Sequence, residues 1–193
     1  MRISVRLALS ALLVAALALG AGAAQAVNAE LLKRCTICHG DRGLSDESAY
    51  PTIAGLPSRL QMDALRAYRD GTRDCGPVAR MCKIVVGMTD EQIKELADYF
   101  AAFQFKRAQQ PFKTELVEHG RHLHEDYCAV CHGENPADAE KSILHGQWAD
   151  YLRYALSQYR SGHRKQPPSM RRQTEKLTDQ DIEAVVNFYA SYR

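Results

Sequence analysis

Apolar residues recur at three- and four-residue spacing in two distant stretches of the chain, Ile93, Leu96, Ala97 and Phe100, and Ile182, Val185, Val186 and Tyr189. That spacing gathers each set on one face of a helix. Both stretches open on a threonine. Thr89 has Gln92 at the third helical position, which makes a capping box, and Thr178 has Asp181 in the same place, a weaker version. Two more helices are predicted after Pro57 and near Trp148, ended by Gly71 and Gly162. A further one runs from about Phe112 or Lys113 to Tyr127. No stretch alternates convincingly as a strand does, so the expected fold class is all-α. Between the two halves, Gln104 to Pro111 carries Gln109, Gln110 and Pro111 and reads as a linker.

The helices are one pattern written twice. Cys35-Thr36-Ile37-Cys38-His39 returns as Cys128-Ala129-Val130-Cys131-His132, 93 positions later. Gly55 pairs with Gly146, Tyr68-Arg69 with Tyr159-Arg160, and Gly71-Thr72-Arg73 with Gly162-His163-Arg164, all at an offset of 91. Met81 pairs with Met170, Thr89-Asp90 with Thr178-Asp179, and Ile93 with Ile182, at an offset of 89. Small steps in offset are what loop-length changes produce, so the chain is read as an internal duplication. It divides into residues 27–106 and 107–193, two tandem small domains. Each half alone would bury a thin core.

The repeated pentapeptide supplies the chemistry. Two thiols three positions apart, with an imidazole directly after the second, suit thioether bonds to both vinyl groups of a haem while the histidine ligates the iron. Cys35, Cys38, Cys128 and Cys131 are then the covalent attachment points, and His39 and His132 the proximal ligands, of two c-type haems. Each haem would provide the apolar centre that its half lacks. A thioredoxin-like redox pair would need a βαβ setting, which the pattern does not offer. A zinc site could draw on the same four Cys and two His, but only by assembling a cluster across both halves.

The sixth ligand decides between gas or peroxide chemistry and plain electron transfer. The second half has one methionine, Met170, and a soft thioether there would raise the reduction potential. Of Met62, Met81 and Met88 in the first half, Met62 reads as core. Met88 reads as a hydrophobic staple onto Ile93, because its counterpart is Leu177, which cannot bind iron and would pair with Ile182. Met81 aligns with Met170, each eight residues before its cap, and these two are the expected distal ligands. His163, on the loop before Met170, is the best rival. His119, His122 and His124 are expected at the surface or facing a propionate.

The N-terminus carries Arg2 and Arg6, an apolar run from Leu7 to Leu19, and Ala24-Gln25-Ala26, the marks of a secretory signal peptide over residues 1–26. The run is too short and Ala-rich to span a bilayer comfortably, so no stable membrane insertion is expected after cleavage. Losing Arg2 and Arg6 lowers Lys+Arg from 25 to 23, equal to the 23 Asp+Glu, and a neutral chain argues against a nucleic-acid partner. Cys75 and Cys82 lack counterparts in the second half, and in an exported protein a disulfide around Met81 is the expected pairing, with a thiol or copper-binding pair as the alternative. Arg160, Arg164, Lys165, Arg171 and Arg172 gather near Met170, either as a solvated face or as a rim for propionates or an acidic partner.

With these residues and the stretch Gly146-Gln147-Trp148-Ala149-Asp150-Tyr151-Leu152, the chain resembles the diheme cytochromes c of the c4 type. Leu123-His124-Glu125-Asp126-Tyr127-Cys128 and residues 146–154 are particularly similar to the cytochrome subunit of flavocytochrome c sulfide dehydrogenase. Pro51-Thr52-Ile53-Ala54-Gly55 and Gly71-Thr72-Arg73 look equally like a free c4 carrier, from whose plain pattern Cys75 and Cys82 depart. The resemblance implies two helical cytochrome domains related by a pseudo-twofold, haems close enough for rapid exchange, and haem attachment in the periplasm. It also implies an electron-transfer protein or subunit, not an enzyme, accepting electrons from a flavoprotein that oxidises sulfide or a related compound. The chain has no Gly-rich dinucleotide fingerprint, so the FAD would sit on that partner. Two other functions are weighed against this one. A soluble shuttle would carry electrons from a membrane complex to a terminal oxidase, and an enzyme would need an open iron.

Overall fold

The computed structural model describes residues 27–75, 80–133 and 141–193. The expected signal peptide lies outside them. Among the described residues eight α-helices follow one another: α1 Ala29–His39, α2 Ser58–Arg69, α3 Arg80–Val85, α4 Asp90–Ala101, α5 Thr114–Tyr127, α6 Ala149–Arg160, α7 Pro168–Thr174 and α8 Asp179–Ala190. Among the described residues there is no strand, only an isolated antiparallel bridge between Arg73 and Arg164. The order makes the duplication visible, with α5 to α8 repeating α1 to α4. No helix of the described residues is long and apolar enough to cross a membrane.

Local chemistry explains most of the boundaries. Thr89 and Thr178 both form complete capping boxes: Thr89 Oγ1 accepts from the Gln92 amide at 3.2 Å, and Thr178 Oγ1 from the Asp181 amide at 3.1 Å. The second box is not the weaker one, since the Asp181 carboxylate accepts both the Thr178 amide at 2.9 Å and its hydroxyl at 2.7 Å. Gly71 and Gly162 follow their helices with φ of 69° and 79°, a left-handed conformation that costs glycine little.

Three helices lie outside the expected set. α1 is capped by Asn28, whose Oδ1 accepts from the amides of Glu30 and Leu31, both at 3.1 Å. α3 and α7 replace what reads as loop around Met81 and Met170; α7 starts on Pro168, whose fixed φ suits a first helical position.

Each half has its own core. In the first, Cys35, Val85, Met88, Ile93, Leu96 and Phe100 are buried together, with Met62 and Met81 packed against them. Met88 and Leu177 therefore do serve packing, each buried in the same cluster as its staple partner, Ile93 or Ile182. The second core is centred on α8, packed closely along α5.

The two halves meet in a seam built on the stretch 146–152. The Gln147 amide is buried and grips the Thr52 backbone on both sides, accepting from its N–H at 2.9 Å and donating to its carbonyl at 2.8 Å. Gln110, in the irregular segment before α5, brackets Gln147 in turn: it donates to the Gln147 carbonyl at 2.9 Å and accepts the Ala149 amide at 2.8 Å. The expected linker is thus anchored into the seam. Trp148 donates its indole N–H to the Ser45 carbonyl at 3.0 Å, and the Tyr151 amide donates to the Ser48 carbonyl at 3.1 Å.

Arg73 and its own counterpart Arg164 face each other across a local twofold. Arg73 lies 4.2 Å from the Tyr68 ring centre, and Arg164 lies 4.3 Å from that of Tyr159, the Tyr68 counterpart. Burial pushes the Tyr151 phenol up, but Arg164 and Arg73 together draw it down to about 8.

Gln147→Leu keeps the side-chain volume and removes both bonds to Thr52, which is itself 3% exposed. Two buried backbone groups left without partners cost about 2–4 kcal/mol together. Urea denaturation is expected to show that loss; a change below ~0.5 kcal/mol would mean that the seam does not hold the halves together.

Candidate functional site

The two pentapeptides sit in related but unequal backbones. Cys35 to His39 lie inside α1, whereas α5 stops at Tyr127 and Cys128 to His132 follow it in turns. All four motif cysteines are free thiols, so neither CxxC pair has closed on itself. Burial pushes the Cys35 thiol up to about 11, and burial also raises Cys128. A thioredoxin-like pair works through a lowered thiol, and these are displaced the other way.

Both motif histidines are anchored alike. His39 Nδ1 lies 2.9 Å from the Pro51 carbonyl oxygen, and His132 Nδ1 lies 3.3 Å from that of Ser142. Pro51 and Ser142 are themselves counterparts, 91 positions apart. A carbonyl oxygen only accepts, so Nδ1 carries the hydrogen in each ring and the lone pair is left on Nε2. Burial pushes both imidazoles below their ordinary range, partly offset by the carbonyl bonds, with Lys141 lowering His132 further. The neutral imidazole is the form that binds a metal, and a fixed Nδ1–H bond sets the ring's orientation and basicity.

Met81 is on the first turn of α3 and Met170 on that of α7, equivalent short helices, and both side chains are partly buried. Cys75 and Cys82 form the expected disulfide, with Cα atoms 5.9 Å apart, tying the chain on both sides of Met81. The donor set therefore fits two covalently held, six-coordinate haems: in each half, two free thiols, one imidazole with Nε2 unclaimed by its backbone anchor, and one thioether.

The remaining histidines divide. His119 faces Asp181 at 3.4 Å and His122 faces Glu118 at 3.1 Å, both exposed as expected. His163 is exposed and bonded through Nδ1 to Ser161 Oγ at 2.7 Å. His124 corrects the surface reading. It is 3% exposed, with Nδ1 3.0 Å from the Tyr189 hydroxyl, because α5 turns this face onto α8. His145, absent from every sequence expectation, stands beside it at 1% exposure, 5.0 Å away between ring centres. The signal that could have found it is the repeat, since His145 occupies the column of the buried Ala54.

The five basic residues near Met170, read as a solvated face or as a rim, are dispersed. Arg160 binds the Leu177 carbonyl at 3.0 Å and pairs with Asp179, Arg171 faces Glu175 at 3.6 Å, and Arg164 is drawn into the seam. Only Lys165 and Arg172 stay exposed without a role in this packing.

Two duplicated helical units, each carrying a Cys-x-x-Cys-His motif and a methionine on an equivalent short helix, define a c-type cytochrome. Comparison with known proteins agrees. Residues 115–188 match the family model described as cytochrome c oxidase, cbb3-type, subunit III. Cytochrome c-554(548) of Halomonas halodenitrificans is 34% identical over 68 residues, 35% of this chain and 82% of that one. A thiosulfate dehydrogenase electron acceptor of Thiomonas intermedia is 29% identical over 171 residues, 81% of this chain and 77% of that one. Cytochrome c4 of Azotobacter vinelandii is 28% identical over 174 residues, covering 80% and 82%. Among solved structures, reduced cytochrome c4 from Pseudomonas stutzeri superposes with a TM-score of 0.72 at 24% identity, over 87% of this chain and all of that one.

The chain belongs to the diheme c-type cytochromes of the c4 type. It carries two covalently attached c-type haems and transfers electrons.

Proposed function

We propose that Cys35 and Cys38 hold one haem and Cys128 and Cys131 the other, with His39 and Met81 on the first iron and His132 and Met170 on the second. The observation that carries this reading is the equivalent pair of Nδ1 anchors, Pro51 and Ser142, which leave Nε2 for the metal in both halves. When bound, each haem supplies a reversible one-electron Fe(III)/Fe(II) couple. The chain's own residues do the rest. Met81 and Met170 would hold the iron in place of oxygen or peroxide, and a soft thioether ligand would favour ferrous iron. Gln147, Gln110 and the Arg73–Arg164 contact hold residues 27–106 and 107–193, the two proposed domains, in one arrangement.

The proposed setting is the periplasm, after removal of residues 1–26. The electron donor is a dehydrogenase that oxidises a reduced sulfur compound. The name of the T. intermedia relative supports a thiosulfate dehydrogenase in that role. The residues 123–128 and 146–154 support the flavoprotein subunit of a sulfide dehydrogenase.

The two donors are separable by mixing. The holoprotein is expected to be reduced by thiosulfate together with its dehydrogenase, or by sulfide together with an FAD-containing dehydrogenase, at least tenfold faster than by either sulfur compound alone. Reduction by neither pair, with rapid reduction by a membrane quinol-oxidising complex, would overturn the sulfur reading in favour of a free shuttle to a terminal oxidase.

A further inference from the structure

The segments that lead to the two methionines follow one path and then diverge. Up to Arg73 and Arg164 the units match: the Arg73 amide donates to the Ala67 carbonyl at 2.9 Å, and the Arg164 amide to that of its counterpart Gln158 at 3.1 Å. Two residues further on, the repeat sets Cys75 against Gln166. Cys75 is bonded to Cys82, which follows Met81 directly, so a ring of chain closes around that methionine. In the second unit Gln166 stands in its place. Its Nε2 donates to the Tyr159 carbonyl at 2.8 Å, on the last turn of α6, and its Oε1 accepts from Thr174 Oγ1 at 3.1 Å, at the end of α7. A carbonyl oxygen only accepts, so the amide fits only this way round. Gln166 and Thr174 lie four positions to either side of Met170, and the bond between them closes a second ring about a methionine.

Thr174 shows that this bond is specific to the second unit. It is 5% exposed, and its counterpart 89 positions earlier is Val85, fully buried in the first core. A hydroxyl in a buried column that the first unit fills with an apolar side chain needs a hydrogen-bond partner. Thr174 has one hydrogen and two acceptors in reach, Gln166 and, further off at 3.3 Å, the Arg171 carbonyl of its own helix. Gln166 is the acceptor that lies outside α7 and ties that helix to α6.

We infer that Gln166, bonded to Thr174 and to the Tyr159 carbonyl, is the positioning residue for Met170, and that the Cys75–Cys82 disulfide does the same for Met81 by different chemistry. A thioether binds iron more tightly when the chain that carries it is already ordered, because ordering that chain is then no part of the cost of binding. Losing either ring loosens one methionine and leaves the other as it was. The inference rests on the methionine ligation proposed above.

The test displaces each methionine with imidazole in the ferric holoprotein and follows the far-red absorption of thioether sulfur on haem iron. Met170→Ala leaves only the first haem's share of that absorption, and Met81→Ala only the second's. In the Met170→Ala background, Cys75→Ser combined with Cys82→Ser is expected to lower the imidazole concentration for half-displacement roughly tenfold. In the Met81→Ala background, Gln166→Leu and Thr174→Val are each expected to lower it about fivefold, while Thr174→Ser, which keeps the donor, stays within about twofold. Thr174→Val copies the first unit's residue and keeps the buried shape. Read in the opposite background, each change is expected to leave the midpoint within about twofold. An unchanged midpoint in any of the three loosening variants, or loosening of both haems by one of them, would overturn the inference. If neither Met81→Ala nor Met170→Ala diminishes the absorption, the ligation itself is wrong and the inference falls with it.

Discussion

Met81→Ala is expected to remove about half of the far-red charge-transfer absorption of the ferric protein, Met170→Ala the other half, and the double variant all of it. The band arises from thioether sulfur on ferric haem, so it counts Fe–S bonds and not haems. Each loss opens one iron, which then takes up carbon monoxide when reduced. Its potential falls by on the order of 100 mV, well inside the ~0.8 V range that axial ligation spans. Met88→Ala is the control. Met88 is 4% exposed in the first core, and its truncation costs about 2–5 kcal/mol of stability while leaving the band intact. A band unchanged in Met81→Ala would remove the repeat argument that selects Met81 over Met88.

Gly120→Val is expected to unfold the second unit selectively. Gly120 sits where α5 crosses α8, and a Cβ there would stand 2.1 Å from the Ala184 carbonyl oxygen, 2.6 Å from its carbon and 2.7 Å from Phe188 Cβ. Two of these atoms belong to the backbone of α8, so relief requires the helices to part. Overpacking of this kind costs about 1–3 kcal/mol or more, and parting α5 from α8 also strips the face that carries His124, one turn on. Removing glycine from a helix returns only ~0.5–1 kcal/mol. For a unit of this size the balance amounts to a fall in melting temperature of roughly 10 °C. Thermal melts read at the Met170-dependent part of the far-red band would show it, while the Met81-dependent part persists. Equal melting of parent and variant would show that α5 and α8 can separate without loss.

The features legible in the sequence are those carried by local spacing. The faces of α4 and α8, the threonine caps, the glycine stops and the two Cys-x-x-Cys-His motifs all depend on residues within a turn or two of each other. The repeat extended this reach, since comparison of columns separated Met81 from Met88 without any view of the iron. Cys75 and Cys82 were legible because export makes pairing the default for two spare cysteines.

What stayed hidden depends on partners distant in sequence. Gln147 was visible only as part of a resemblance, yet it holds Thr52, 95 residues away, through backbone groups that have no sequence signature. Arg164 reads as one more cation in a basic cluster until the seam shows it facing Arg73. His124 looks like a surface residue because histidine is polar, and only the close packing of α5 on α8 buries it; His145, beside it, draws no reading from the sequence at all. Gly120 has no visible motif, and its role is set by the approach of another helix. The short helices α3 and α7 have fewer than eight residues each, too few to show a period.

The central claim is that both irons are closed by methionine, so the chain conducts electrons and performs no bond chemistry. Carbon monoxide added to the fully reduced native holoprotein tests it most directly. The account predicts an unchanged haem spectrum at neutral pH, with two haems per chain by haemochrome assay. A carbon monoxide adduct approaching one per chain or more would contradict it, since an iron that takes up a gas in the native protein has no methionine closing its sixth position.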